Sequence, residues 1–314
     1  EGNKEDVPPM ALGSSNDYNF SSDGSEVAYA LNPEFTKATS TNIEIYLASL
    51  TSPKTPKLIS VSKGVDCQPV YSPDGNWIAW TSMKRAGFEA DKKELILFNR
   101  KTGEMINLTE DFERSVDEIV WSPDSKVIYF IAGNEIYNSI YKLDVVEEEI
   151  EIFHKDNYNT GIQISKDGKT LYFLKQRTDL PAEIFSQSTD GKNTLKRVTF
   201  TNEEILSQLE MNPVETFWCE GANGDKVQSI IVKPPFFDPN KKYPMMFLIH
   251  GGPQGAWEDN FHYRWNLQMF AGAGYVVVAP NPRGSTGYGQ KFTDEISGDW
   301  GGKVYTDLMN SYDY

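Results

Sequence analysis

The sequence predicts a partial β-propeller of about four blades over residues 1–205, followed over residues 206–314 by the N-terminal part of an α/β-hydrolase domain. Three observations carry this reading. A Ser-x-Asp-Gly-like turn with an apolar strand after it recurs four times in the first two thirds of the chain. Beyond it, two continuous apolar runs, Met245–Ile249 and Tyr275–Ala279, are bounded by proline and glycine, as suits strands buried on both faces of a parallel sheet. Between them a glycine-rich loop, His250-Gly251-Gly252-Pro253, leaves the carboxyl end of the first run, where open α/β sheets place their ligands.

The repeat reads Phe20-Ser-Ser-Asp23-Gly24, Tyr71-Ser-Pro-Asp74-Gly75, Trp121-Ser-Pro-Asp124-Ser125 and Ile164-Ser-Lys-Asp167-Gly168. The aspartates at 23, 74, 124 and 167 stand 51, 50 and 43 residues apart. Periods of roughly 40–50 residues with several short strands each mean propeller blades, here of a TolB/WD40-like kind. Proline presets φ and glycine accepts positive φ, so these aspartates are turn formers rather than catalytic groups. A further strand in each copy is predicted at Ile43–Leu50, Glu94–Asn99, Ser139–Asp144 and Glu183–Gln187. Pro8-Pro9 and the polar residues before them read as a connection, or as a blade whose start is missing.

After the repeats, Glu203–Gln208 reads as a short helical link. Val214–Glu220 and Lys226–Lys233 form a hairpin across Ala222-Asn-Gly-Asp225. Phe261–Ala271 has the length and apolar content of a crossover helix, with Gly272 and Gly274 suited to its end. Gln290–Ile296 follows the loop Asn281–Gly289, and Val304–Tyr314 opens another helix.

The His250–Pro253 loop is the chemical clue. Adjacent glycines let the backbone approach a ligand and turn its N–H groups into a cavity, and HGGG-type loops of α/β-hydrolases supply one oxyanion donor in this way. The plainer alternative is a tight turn without chemistry. No G-x-S-x-G nucleophile elbow occurs in the chain. Arg283-Gly-Ser285-Thr-Gly287 is a near miss, with Arg where the first Gly belongs and several residues separating it from its strand. The histidines are His154, His250 and His262. His154 reads as structural, His262 as capping or lining the helix, and His250 as a base candidate without an aspartate partner. No Ser-His-Asp set can be assembled from these residues.

Composition sets the remaining bounds. The net charge of −15 argues against nucleic acid and anionic membranes as partners. No run approaches the ~18 apolar residues of a membrane helix. Cys67 and Cys219 make no disulfide framework and sit in no Cys/His cluster, so no metal is implied, and Cys219 reads as a buried thiol. Glu147–Glu149 reads as a solvated turn and Met245-Met246 as core. Asn19 and Asn107 match the short glycosylation pattern, which is common by chance.

The strings HGGPQGAWED from His250, Arg264-Trp265, GYVVVAPNPRGSTGYGQ from Gly274 and DWGG from Asp299 closely resemble the prolyl oligopeptidase family of serine peptidases. The nearest branches are dipeptidyl peptidase V and acylaminoacyl peptidase. The resemblance is specific over Lys241–Leu308 and looser through the repeats. It implies a propeller of seven or eight blades ahead of the hydrolase domain, so these four blades look like its second half. It implies that the catalytic Ser, Asp and His follow Tyr314 in that order, and that this chain is an internal fragment, inactive alone. The backbone N–H of Gly252 is then one oxyanion donor, with His250 shaping the region rather than acting as base.

Trp257, Arg283 and Tyr288, on loops at the active end of the sheet, are candidate substrate-lining residues, with domain packing as the alternative for each. The activity implied is that of a serine exopeptidase that releases dipeptides, or acylated amino acids, from short peptides, with no cofactor. A homodimer of the full-length protein is compatible with this reading. The implied location is secreted or periplasmic, although no leader is visible before Glu1. The competing class is a propeller-based binding or scaffold protein carrying a non-catalytic hydrolase remnant.

Overall fold

The computed structural model describes residues 6–9, 13–52, 54–192 and 194–314. The polar residues 1–5 ahead of the Pro8-Pro9 connection lie outside the described residues.

Each repeat turn closes in the same way. The Ser21, Ser72, Ser122 and Ser165 hydroxyls donate to Oδ1 of Asp23, Asp74, Asp124 and Asp167 at 2.7, 2.6, 2.7 and 2.6 Å. In the first three copies the same oxygen accepts the backbone N–H of Ser25, Asn76 or Lys126 at 3.0, 3.0 and 3.2 Å. The residue after the aspartate takes φ of +69°, +69°, +61° and +70° at Gly24, Gly75, Ser125 and Gly168, a conformation that glycine adopts freely and Ser125 adopts without that freedom.

The turn joins the first two strands of each four-stranded blade. The blades are Tyr18–Phe20, Glu26–Leu31, Glu44–Ser49 and Lys57–Leu58; then Asp66–Tyr71, Trp77–Ser82, Glu94–Asn99 and Met105–Asn107; then Asp117–Trp121, Val127–Asn134, Tyr137–Asp144 and Ile150–His154; then Tyr158–Ile164, Thr170–Arg177, Leu180–Ser188 and Lys196–Arg197. Phe20, Tyr71, Trp121 and Ile164 each end the first strand of a blade, the equivalent position that the repeat predicts. The third and fourth blades join into one sheet, with Asn138 paired in parallel to Tyr158.

The described residues divide into two compact units. The first spans Glu1–Ala132, Tyr141–Ile152 and Ile164–Gly168. Its core fills the spaces between blades. Ile78, Trp80 and Phe98 join Ala28, Ile43 and Ile45 in one cluster, while Ala79, Leu95 and Leu97 join Trp121, Ile128 and Phe130 in the next. Neighbouring residues of one strand thus serve opposite clusters, which is why Trp77–Ser82 is buried along nearly its whole length instead of alternating.

The second unit spans Gly133–Ile140, Phe153–Gln163 and Lys169–Tyr314. It therefore holds the strands of the fourth blade together with the hydrolase segment, and the predicted boundary near residue 205 falls inside it. The reason is polar as well as apolar. Buried Asp259 accepts from Thr178 N and Oγ1 at 2.9 and 3.0 Å and from Asn157 Nδ2 at 2.6 Å. Ile136 packs in the same cluster as Ile230, Val232, Leu267, Val277 and Ala279.

The hydrolase sheet corrects two expectations. Its strand order is Glu215–Glu220, Lys226–Val232, Val276–Asn281, Met245–Phe247, and only the last pair is parallel. The sheet is therefore mixed rather than parallel, and among the described residues the strand before the glycine-rich loop is terminal in it. That strand is also shorter than predicted, with Met245 and Ile249 exposed because one side of the strand carries no neighbour among the described residues. The predicted helix from Phe261 begins only at Leu267 and runs to Gly272. His262 Nδ1 accepts from the N–H groups of Arg264 and Trp265, closing a turn, and Asn266 then caps the helix through Gln268 N at 2.8 Å. The last helix, Lys303–Asp313, forms as predicted.

The turn geometry has a consequence in acid. The Ser21 hydroxyl, the Ser25 N–H and the Ser25 hydroxyl hold the Asp23 carboxyl down to about 2, from its ordinary 3.8. A carboxyl lowered on folding contributes stability above its unfolded pKa and loses it as pH falls through the folded value. Asp23→Asn is therefore expected to lower the thermal midpoint at pH 6, and the gap to the parent should close between about pH 4 and pH 2. A gap that stays constant over that range would show that the turn does not use the charge.

Candidate active site

Met245–Phe247 runs parallel to Val276–Asn281, and Leu248 N extends the pairing to Val278 O at 2.9 Å. The chain then leaves the sheet as the His250–Gly255 loop. Gly252 has φ +136°, and a Cβ there would lie 2.8 Å from Gln254 N, so only glycine fits without displacement. Gly251 meets nothing within 4 Å on that side. The Gly252–Pro253 peptide is cis. Among the described residues no chain acceptor receives the Gly252 N–H. Gly252 lines a cavity of about 530 Å³ together with His250, Gly251, Trp257, Glu258 and Trp265. An unengaged amide held by fixed backbone beside a cavity can stabilise an anionic oxygen placed there.

The segment after the loop is fastened from behind. Asn281, fully buried at the end of its strand, accepts from Trp257 N at 2.7 Å and donates to Trp257 O at 2.9 Å. Trp257 Nε1 donates to Leu248 O at 2.9 Å, which fixes the indole against the strand that carries the loop. Of the three candidate lining residues, Trp257 is the one that reaches this cavity.

Arg283 does not reach it, which corrects the expectation. Its side chain is fully buried and its charge is consumed internally. Arg283 Nε donates to Asp307 Oδ2 at 2.8 Å, NH2 to Asp307 Oδ1 at 3.0 Å and to Ala222 O at 2.8 Å, and NH1 to Glu295 Oε2 at 2.7 Å. Asp307 also accepts from the backbone N–H of Arg283 and of Ala222. Tyr288 is likewise spent on packing: its hydroxyl donates to Gln228 Oε1 and accepts from Asn281 Nδ2, at 2.8 and 2.9 Å, and its ring lies edge-on to Trp218.

Ser285 and His250, set aside one by one in the sequence, are in contact. His250 Nε2 lies 3.0 Å from Ser285 Oγ, and Nδ1 lies 3.0 Å from Gly251 O. With Nδ1–H donating to Gly251 O, Nε2 is an acceptor, and the single Ser285 proton is divided between it and Pro282 O at 2.6 Å. Ser285 has no exposed surface, so no substrate carbonyl reaches Oγ. Burial draws the His250 pKa below 6.5, which keeps the ring neutral. The pair braces the loop and is not a catalytic dyad. His154 is structural as expected, with Nε2 2.8 Å from Lys175 Nζ and its ring against Phe173.

Asn281, Asp307 and Glu258 escaped the sequence reading. The signal for Asn281 was a polar residue closing an apolar strand, and for Asp307 an acid four residues before Ser311 on the buried face of the last helix. Among the described residues no group of three or more His, Cys, Asp or Glu could hold a metal, and no helix is long and apolar enough to cross a membrane.

Comparison with known proteins now decides the family. A TolB beta propeller domain model matches residues 17–208, and a prolyl oligopeptidase family model matches residues 261–314. The chain belongs to the TolB beta propeller domain family over residues 17–208 and is similar to the prolyl oligopeptidase family over residues 261–314. Dipeptidyl-peptidase 5 of Porphyromonas gingivalis is 34% identical over all of this chain and 46% of its own length. A probable dipeptidyl-peptidase 5 of Aspergillus clavatus is 35% identical over 98% of this chain and 44% of its own. The chain thus spans less than half the length of these curated relatives. Among solved structures, Pyrococcus horikoshii acylaminoacyl peptidase matches with a TM-score of 0.77 at 20% identity, over 97% of this chain and 45% of its own. Porphyromonas gingivalis dipeptidyl peptidase 4 matches with a TM-score of 0.67 at 17% identity, over 97% and 44%. These structures share the propeller-plus-hydrolase fold with this chain.

The buried ion cluster gives a stability test. Removing one partner of such a pair leaves the other charge buried and uncompensated, at about 3–5 kcal/mol, whereas replacing both by apolar residues is close to neutral. Asp307→Leu is expected to lower urea stability by about that amount, and Arg283→Met combined with Asp307→Leu to regain most of it. Equal losses in the single and double variants would show that packing, not charge, dominates there.

Proposed function

We propose that the full-length protein is a serine exopeptidase that releases dipeptides from the N-terminus of short peptides. The observation that carries this is the Gly252 amide, which no acceptor among the described residues receives, on a residue lining a cavity at the carboxyl end of a hydrolase strand. The relatives named dipeptidyl-peptidase 5 favour dipeptides as product over acylated amino acids.

In this reading a serine supplied by the remainder of the full-length protein attacks the peptide carbonyl. A histidine takes its proton and returns it to the leaving amine, and an acid orients the histidine. The contribution of the present residues is to stabilise and to position. The Gly252 N–H receives the oxygen that becomes negative in the tetrahedral intermediate, and removing one such donor typically costs on the order of 10²–10³ in rate. Trp257, clamped by Asn281, forms a wall of the cavity. The Arg283–Asp307 cluster fixes the turn that carries Ser285 under His250.

The full-length protein is expected to hydrolyse chromogenic dipeptidyl substrates with a free N-terminus. Gly252→Pro deletes the N–H but also moves a backbone held at φ +136°. Gly252→Ala disturbs the same backbone and keeps the N–H. The proline variant should fall about 10²–10³ below the alanine variant in kcat. Equal rates would remove the amide from the mechanism, and release of acetylated single amino acids without dipeptides would favour the acylaminoacyl alternative. Peptide binding without hydrolysis would favour a scaffold.

Residues 1–314 by themselves are expected to show no turnover on the same substrates, because no serine in them combines exposure with an activating base. Turnover within tenfold of the full-length protein would return Ser285 and His250 to consideration.

A further inference from the structure

Glu258 lies between two anchored residues. Trp257 before it is tied to Asn281 and Leu248, and Asp259 after it is tied to Thr178, Asn157 and, through its own N–H, to Ile136 O at 2.8 Å. Glu258 lines the same cavity as Gly252. Its one side-chain hydrogen bond is a long one, from Asn260 Nδ2 at 3.5 Å. Among the described residues no Lys or Arg pairs with it. Arg264 lines the cavity too, but its guanidinium packs 5.7 Å over the Trp265 ring.

A half-buried carboxylate without a cation is costly, and the usual compensation is a paired charge. Here desolvation pushes the Glu258 carboxyl up to about 8, with no cation to draw it back, so at neutral pH the empty site holds it mostly as the neutral acid and an entering cation restores the carboxylate. Trp257 and Trp265 supply aromatic faces, which also favour a positive ligand. The partner absent from the chain is therefore sought in what enters the cavity.

We propose that Glu258 is a specificity-determining residue that receives a cationic nitrogen of the substrate, either the free α-ammonium of a peptide or the charged side chain of a basic residue. The proposal rests on the peptidase reading above and deepens it. A substrate with a free N-terminus brings such a nitrogen, whereas an N-acylated one brings none, so the carboxylate separates the two classes of substrate that the fold alone leaves together. The interaction is a charge-assisted hydrogen bond, replacing water around both groups as the substrate seats.

The test compares Glu258→Gln with the parent full-length enzyme on four substrates: free and N-acetylated, each with leucine or lysine before the cleaved bond. Loss of about tenfold to a hundredfold in kcat/KM, mostly in KM, confined to the free-terminus pair assigns the nitrogen to the peptide N-terminus. The same loss confined to the lysine pair assigns it to the side chain. Glu258→Asp should restore part of the lost activity. A uniform loss on all four substrates, which a folding defect or a purely structural role would give, overturns the proposal, as does no loss on any. If the parent enzyme hydrolyses none of the four, the peptidase reading itself fails, and this proposal with it.

Discussion

The Arg283–Asp307 pair is the constraint on which the second unit depends. One guanidinium and one carboxylate, both without exposed surface, bind together the turn after Val276–Asn281, the hairpin at Ala222 and the helix Lys303–Asp313. Ala222 supplies a carbonyl to the arginine and an N–H to the aspartate, so the hairpin is held from both sides. Gly221 is part of the same arrangement, since a Cβ there would lie 2.4 Å from Asp307 Oδ1. With Glu295 taking the remaining guanidinium nitrogen, the charges are matched closely enough for burial to be tolerated. Burial of this kind holds a geometry in place more than it adds stability, and the geometry held is that of the segment running from Asn281 to Tyr288.

In the first unit, hydrogen bonding does comparable work from blade to blade. Asp17 Oδ1 accepts from Gln68 N at 3.1 Å, and Gln68 Oε1 accepts from Glu118 N at 3.3 Å, contacts spanning 51 and 50 residues. Gln68 and Glu118 sit one repeat apart at φ +57° and +48°, and the pairing of each blade's first two strands slips there. The bulge turns each N–H out of its own ladder and toward the preceding blade. Neither residue is glycine, so the conformation is paid for by the bond it permits. The fourth blade differs in its faces. Along Thr170–Arg177, Leu171, Phe173 and Lys175 are buried while Tyr172 and Leu174 are exposed, an alternation that Trp77–Ser82 does not show.

What the sequence could show depended on how local the physics was. The blades were legible because the Ser-x-Asp-Gly turn is closed by atoms within five residues of one another, so composition and spacing report it directly. The glycine-rich loop was legible because φ +136° at Gly252 excludes other residues. Strand positions survived for the same reason, while the helix from Phe261 did not. Its apolar content was right, but His262 accepts two backbone N–H groups and diverts the first turn, a choice that periodicity does not register. Arg283 was misread because position on a loop at the active end of a sheet says nothing about partners 12 and 24 residues away. Asn281, Asp307 and Glu258 owe their roles entirely to contacts or vacancies made in three dimensions.

The distribution of satisfied and unsatisfied groups is itself informative. Around the candidate site nearly every polar atom that positions the loop is engaged: Asn281 on both sides of Trp257, Trp257 on Leu248, Asp259 on the chain at Thr178 and Asn157. At the cavity, among the described residues, the Gly252 amide has no acceptor in the chain and the Glu258 carboxyl has only the long contact from Asn260 Nδ2 at 3.5 Å. A folded chain leaves such groups open at a cost of about 1–3 kcal/mol each, more for a charge. If looseness were the cause, the neighbours would be loose as well, and they are the most firmly tied residues of the loop. On the proposed reading, the Gly252 amide is the donor for a negative oxygen and Glu258 the acceptor for a positive nitrogen, both held in place before any ligand arrives, and such preorganisation is the means by which a site stabilises charge without rearranging at the moment of reaction.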